Sequence, residues 1–133
     1  MQEDAVILNT NTMSYRPLTS FYMKAVIIDD ELDICLLLGM ILKKQGISTT
    51  LAHNLTDGLE TVVTEQPMLV FLDNNLPDGQ GIDKITTFRE KAPLAKLYMI
   101  SAMEGISEKA LALGVDGFVE KPLNLEKIMK LIQ

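Results

Sequence analysis

Residues 69–81 read LVFLDNNLPDGQG. Four apolar residues run directly into Asp73, and Asp73 runs into a string of turn-formers, Asn, Pro, Asp and Gly. An apolar run without polar alternation describes a strand buried on both faces. The turn-formers that follow end it and lead the chain out. The sequence therefore carries a carboxylate to the lip of a buried strand.

The same pattern recurs on either side. Ala25 to Ile28 is an apolar run ending at Asp29 and Asp30, Lys96 to Ile100 ends at Ser101, and Val115 to Glu120 ends at Lys121 and Pro122. Thr49 to Ala52 is a shorter, more polar run. Between the runs the spacing changes to the helical period. Leu32 to Gln45 puts Ile34, Leu37, Leu38, Ile41 and Leu42 on one face, with Lys43 and Lys44 at its end and Gly46 to stop it. Thr56 to Gln66 is closed by Pro67, and Ile82 to Lys91 stops near Pro93. Ser107 is expected to cap a short helix to Leu113, and Asn124 a last helix. Strands that alternate with helices demand a parallel sheet covered on both faces. The first, third and fourth runs are the most apolar and belong at its centre, with the second and fifth towards the edges. The fold class is a doubly wound α/β fold.

Composition agrees and narrows the function. The chain has 133 residues, 47% of them hydrophobic, enough for one domain with a substantial core. A net charge of -6 speaks against direct nucleic-acid binding, which needs a basic face. One cysteine, Cys35, excludes an internal disulfide framework and fits a reducing, cytoplasmic setting. The longest apolar stretch, Ile34 to Leu42, falls far short of the roughly 20 residues that span a bilayer, so no membrane insertion is expected. The first residues, Met1-Gln2-Glu3-Asp4, are acidic where a signal peptide is basic.

In a doubly wound sheet the ligand site lies beyond the carboxyl ends of the strands. Those ends are Asp29 and Asp30, Asp73, Ser101 and Lys121, all on one edge. Polar residues close many strands, so each alone carries little; their convergence on one crevice carries the argument. Three carboxylates in one pocket repel one another unless cations intervene. Lys121 supplies one positive charge, and Mg²⁺, which takes carboxylates, waters and a phosphate oxygen, suits the remainder. Asp73, on a central strand, is then placed to attack phosphorus, with Lys121 and the metal neutralising the transferred group and Ser101 donating to it.

DDE at 29–31, LDNNLPDGQG at 72–81, ISA at 100–102 and EKP at 120–122, in that order, resemble the receiver domain of two-component response regulators. The resemblance covers about residues 23–133. It implies a flavodoxin-like sheet of five parallel strands in the order 2-1-3-4-5. It also implies that Asp73 accepts a phosphoryl group from a phosphohistidine on a sensor histidine kinase or histidine phosphotransfer protein. Asp30 and Asp73 would hold Mg²⁺ with the backbone carbonyl of Asn75, while Asp29 acts mainly through water. Ser101 and Lys121 would hold the phosphoryl oxygens, and Phe118 matches the aromatic residue that turns inward when the hydroxyl residue shifts. Such a domain signals to a protein target and is no enzyme in the ordinary sense, since it promotes only its own phosphorylation and dephosphorylation.

Two other readings compete. A phosphate-independent receiver-like binding module would share the fold, but retention of Asp29, Asp30, Asp73, Ser101 and Lys121 argues against it. A phosphatase of the haloacid dehalogenase type needs a second Asp two places after the nucleophile, and here that position is Asn75. The chain also departs from the receiver pattern. Residues 1–22 have no counterpart and are expected to form a poorly ordered extension. The stretch from Ser101 to Lys121 is short and leaves room for a fourth helix of about two turns. In the first helix, Cys35, Leu36 and Met40 widen the apolar stripe, which means either wider burial or a docking patch for the helical bundle of a kinase or phosphotransfer protein. His53 reads as a loop or strand-end residue and not as a phosphate carrier.

Overall fold

The structure, a computed structural model, describes residues 23–133. The expected extension over residues 1–22 lies outside them. Each apolar run becomes a strand of one sheet: β1 Lys24–Ile28, β2 Ser48–Ala52, β3 Leu69–Asp73, β4 Lys96–Ser101 and β5 Gly117–Glu120. The strands are parallel and lie in the order β2-β1-β3-β4-β5. The doubly wound reading holds, with the polar second and fifth strands at the edges as their composition requires.

The helices are α1 Leu32–Lys44, α2 Leu55–Glu65, α3 Ile85–Lys91, α4 Ser107–Ala112 and α5 Leu125–Ile132. They divide between the faces according to alternate strand residues. Ala25, Ile27, Leu69, Phe71, Tyr98, Ile100 and Val119 form one apolar layer with Cys35, Leu38, Ile41 and Leu42 of α1 and Ile128 of α5. Val26, Ile28, Val70, Leu72, Leu97 and Met99 form the other with Val62 of α2, Ile85 and Phe88 of α3 and Ala110 of α4. Strands β1, β3 and β4 are apolar on both sides because both sides are covered.

Three local expectations shift. Ser107 does not cap α4: the cap position is Ile106, without a side-chain cap bond, and Ser107 is the first helical residue. The Ala110 N–H already donates to Ile106 O at 2.9 Å, so the helix closes one residue earlier. The third helix begins with a 3-10 turn, Gly81–Lys84, before α3. Strand β5 starts at Gly117, since Val115 still belongs to the turn after α4, donating to Ala110 O. Asn124 does cap α5, its side chain accepting from Lys127 N–H at 2.8 Å.

The register sets the height of the site. Ile28 pairs with Leu72, and Asp73 pairs with Ile100, so Asp29 and Asp73 leave the sheet at the same level. Ser101 pairs with Glu120 one step further out, and Lys121 follows directly.

Candidate functional site

Asp73 closes β3 and is only 2% exposed. Phe71 and Leu72 before it are fully buried, each contributing about 2 kcal/mol of hydrophobic stabilisation, which anchors a carboxylate that burial alone would expel. The loop beyond is tied back on itself. Asn74 donates its N–H to Asp73 Oδ1 at 2.9 Å, accepts Ile82 N–H on its side-chain oxygen at 2.9 Å, and accepts Gly81 N–H on its carbonyl at 2.8 Å. Residues Asn75–Leu76 and Gly79–Gln80 pair as a miniature antiparallel hairpin between these ties. Position 81 must be glycine, because a Cβ there would run into the Asp73 carbonyl oxygen. Asp78, at the hairpin tip, accepts from Leu55 N–H, Thr56 N–H and Thr56 Oγ1, and these bonds hold its pKa below the ordinary value. The loop is thereby fastened to the start of α2.

Around Asp73 the other strand ends converge. Asp29 is fully buried, and its Oδ1 accepts Glu31 N–H at 2.8 Å. The Lys121 side chain is only 9% exposed, and its ammonium lies 2.9 Å from Glu31 Oε2, 3.1 Å from Asp29 Oδ2 and 3.3 Å from Asp73 Oδ1. Ser101 is buried. Its Oγ accepts Met103 N–H at 2.9 Å, and its carbonyl accepts Lys121 N–H at 2.9 Å. Asp30 and Asn75 are exposed at the rim. Phe118 pairs with Met99 and is half-buried against the α2–α3–α4 layer. His53 lies at the end of β2, its Nδ1 3.0 Å from the Asp29 carbonyl.

The electrostatics follow from crowding. Burial and then the field of Asp29 push the Asp73 carboxyl up to about 6, against the pull of Lys121 and the Asn74 N–H. Burial also raises Asp29, opposed by the Glu31 N–H and Lys121. For Lys121, burial acts downward, but the hydrogen bond to Glu31, the close contact with Asp29 and the charges of Asp29 and Asp73 outweigh it and hold the ammonium above its usual value. Cys35, beside this cluster, is pushed up to about 11 by burial and by Asp29, which leaves it an inert thiol.

Four carboxylates, of Asp29, Asp30, Glu31 and Asp73, bring one oxygen each to within 4.8 Å of one another. Two of their buried oxygens, Asp29 Oδ2 and Asp73 Oδ2, have no hydrogen-bond partner among the described residues. The contact of Lys121 with Asp29 Oδ2 is an ion pair at 3.1 Å without hydrogen-bond angles. Orphaned carboxylate oxygens facing, among the described residues, the one ammonium of Lys121 fit a hard divalent cation, which takes oxygen ligands and prefers to share them with water. Sequence reasoning found Asp29, Asp30, Asp73, Ser101 and Lys121, and the structure brings them to one edge. It included Glu31 only as the last letter of the DDE stretch and gave it no role. The only sequence signal was a third consecutive acidic residue ahead of α1.

Comparison with known proteins yields consistent likenesses. The family model for the response regulator receiver domain matches residues 25–133. The response regulator protein PilR of Pseudomonas aeruginosa is 32% identical over 111 residues, which cover 82% of this chain and 25% of that protein. This chain thus spans about a quarter of that relative's length. The crystal structure of a two-component response regulator from Clostridium difficile is 28% identical with a TM-score of 0.77, over 83% of this chain and 92% of the other. A response regulator from Burkholderia pseudomallei, crystallised with a phosphorylated aspartic acid, calcium ion and citrate, has a TM-score of 0.77 at 24% identity, over 84% of this chain and 66% of the other. At that identity the likeness concerns the fold.

Proposed function

The chain belongs to the response regulator receiver domain family of two-component systems, and from that premise we propose that Asp73 is its phosphoacceptor, switched by a phosphoryl group taken from a phosphohistidine. The observation that carries this is the state of Asp73. It is buried at the sheet edge, 3.3 Å from an ammonium, with one carboxylate oxygen free of any hydrogen bond among the described residues. That oxygen has an unshared pair to offer phosphorus. As the new O–P bond forms, the P–N bond of the donor breaks and its electron pair stays on the imidazole. The carboxylate needs to be ionised to attack, and its pKa of about 6 leaves it so at neutral pH.

The supporting residues take the roles their geometry suits. Lys121 neutralises the phosphoryl oxygens. Ser101 Oγ uses a lone pair on Met103 N–H, so its own proton remains available to a phosphoryl oxygen. Asp30, Asp73 and the Asn75 carbonyl would hold Mg²⁺, with Asp29 acting through water. The metal, when bound, supplies charge neutralisation to the carboxylates and the transferred group. Phe118, half-buried on an edge strand, is the reporter: once Ser101 is drawn to the phosphoryl group, the inward position of Phe118 is favoured and the β4–β5 surface changes. We place residues 23–133 as the receiver unit, acting in the cytoplasm on a protein target. Among the described residues no helix is long and apolar enough to cross a membrane.

Intact-mass measurement after incubation with Mg²⁺ and acetyl phosphate tests this. One added phosphoryl group is expected, lost in Asp73→Asn and in EDTA. A folded, Mg²⁺-binding protein that gains no mass would instead favour a phosphate-independent binding module.

A further inference from the structure

Glu31 occupies the cap position of α1 with extended backbone, where a carboxylate ordinarily accepts the helix N–H groups. It makes no such bond. Its side chain crosses instead to the end of β5, 90 residues away in sequence, and accepts from Lys121 Nζ at 2.9 Å. Of the three carboxylates around that ammonium, Glu31 is the nearest, and it alone has hydrogen-bond geometry; Asp29 and Asp73 stand at 3.1 and 3.3 Å as ion pairs. Asp29 and Asp73 are buried and fixed to backbone N–H groups, whereas the Glu31 side chain is 59% exposed and free to return to water.

We propose that Glu31 is a positioning residue that holds the Lys121 ammonium in the unphosphorylated protein and competes with the incoming phosphoryl group for it. This rests on the phosphoacceptor reading of Asp73. Lys121 carries three N–H donors, and in the resting protein its one well-formed hydrogen bond among the described residues points out of the pocket, towards the rim. A tetrahedral anion on Asp73 needs that donor turned inward. Water at the Glu31 end screens the pair and makes the exchange easy, keeping its effect on the equilibrium near that of an exposed pair, about three- to fivefold. Glu31 thus sets a threshold that the phosphoryl group overcomes and a weaker anion does not.

The test uses beryllofluoride, a tetrahedral phosphoryl mimic, titrated at saturating Mg²⁺ into the full chain and followed by NMR. Glu31→Gln is expected to bind it about three- to fivefold more tightly than the wild type. A merely structural role gives no gain. Glu31→Asp keeps the charge but lacks a methylene and no longer reaches Lys121, so it is expected to follow Glu31→Gln. Unchanged or weaker binding in Glu31→Gln overturns the proposal. So does wild-type affinity in Glu31→Asp beside a tighter Glu31→Gln, since that is through-space repulsion without a tether. Absence of binding in the wild type overturns the phosphoacceptor reading itself, and this inference with it.

Discussion

At the scale of single residues, the chemistry of Asp73 is set by opposed forces whose balance has a measurable sign. Its folded-state pKa, about 6, stands above the ordinary carboxylate value of 3.8. Between those values the folded protein binds more protons than the unfolded chain, so stability falls as pH rises through that window and returns below it. Each unit corresponds to about 1.4 kcal/mol, which makes the ionised Asp73 a burden of about 2 to 3 kcal/mol in metal-free protein. Urea unfolding in EDTA should therefore show wild-type stability dropping between about pH 4 and pH 7. Asp73→Asn should drop less and be the more stable of the two at neutral pH. Asp29 is raised in the same direction, so a slope survives in the variant. Equal slopes would mean that Asp73 ionises as a solvated carboxylate. A buried carboxylate that destabilises its own fold is what a site awaiting a cation looks like.

At the scale of elements, α1 shows where periodicity stops being informative. Cys35, Leu36 and Met40 all read as widening its apolar stripe, by burial or by docking. The structure divides them: Cys35 is buried against the sheet, while Leu36 and Met40 are 55% and 61% exposed, in line with Leu32 at 61%. These three recur every fourth residue and form a ridge that starts next to the acidic edge, directly after Glu31. We propose that this ridge receives the helical bundle of the phosphodonor. Leu36→Glu should slow phosphotransfer from that protein by about tenfold, the effect of removing one apolar anchor, while labelling by acetyl phosphate keeps its rate. Equal slowing with both donors would assign Leu36 to the fold. Local signals were legible where a single residue decides, as with Asn124 capping α5, but failed at α4, where backbone closure on Ile106 overrode the capping preference of Ser107.

At the scale of the whole molecule, the site exists because the sheet brings together residues from four separate strand ends. Binding of a divalent cation there is linked to global unfolding. At a Mg²⁺ concentration a hundredfold above its Kd the folded state would gain about 2.7 kcal/mol, a rise of several degrees in Tm. Thermal scans with Mg²⁺ and with EDTA should show that difference in the wild type and a smaller one in Asp30→Asn. Identical midpoints in the wild type would remove the metal from the reading.

Much of this was determined by the sequence alone. Continuous apolar runs specify strands covered on both sides, the helical period between them specifies the layers, and the residue that ends each run specifies the chemistry of the edge. Asp29, Asp30, Asp73, Ser101 and Lys121 were legible for that reason: each is the next residue after, or one place beyond, an apolar run. Tertiary structure alone decided which of the adjacent acids is buried, that Asp73 keeps one oxygen unpartnered among the described residues, and that Glu31 turns from its own helix to Lys121. These depend on the register of neighbouring strands and on the distance between chain segments 90 residues apart. Residue order encodes the period of an element, but the distance between two side chains is fixed only once the elements have packed.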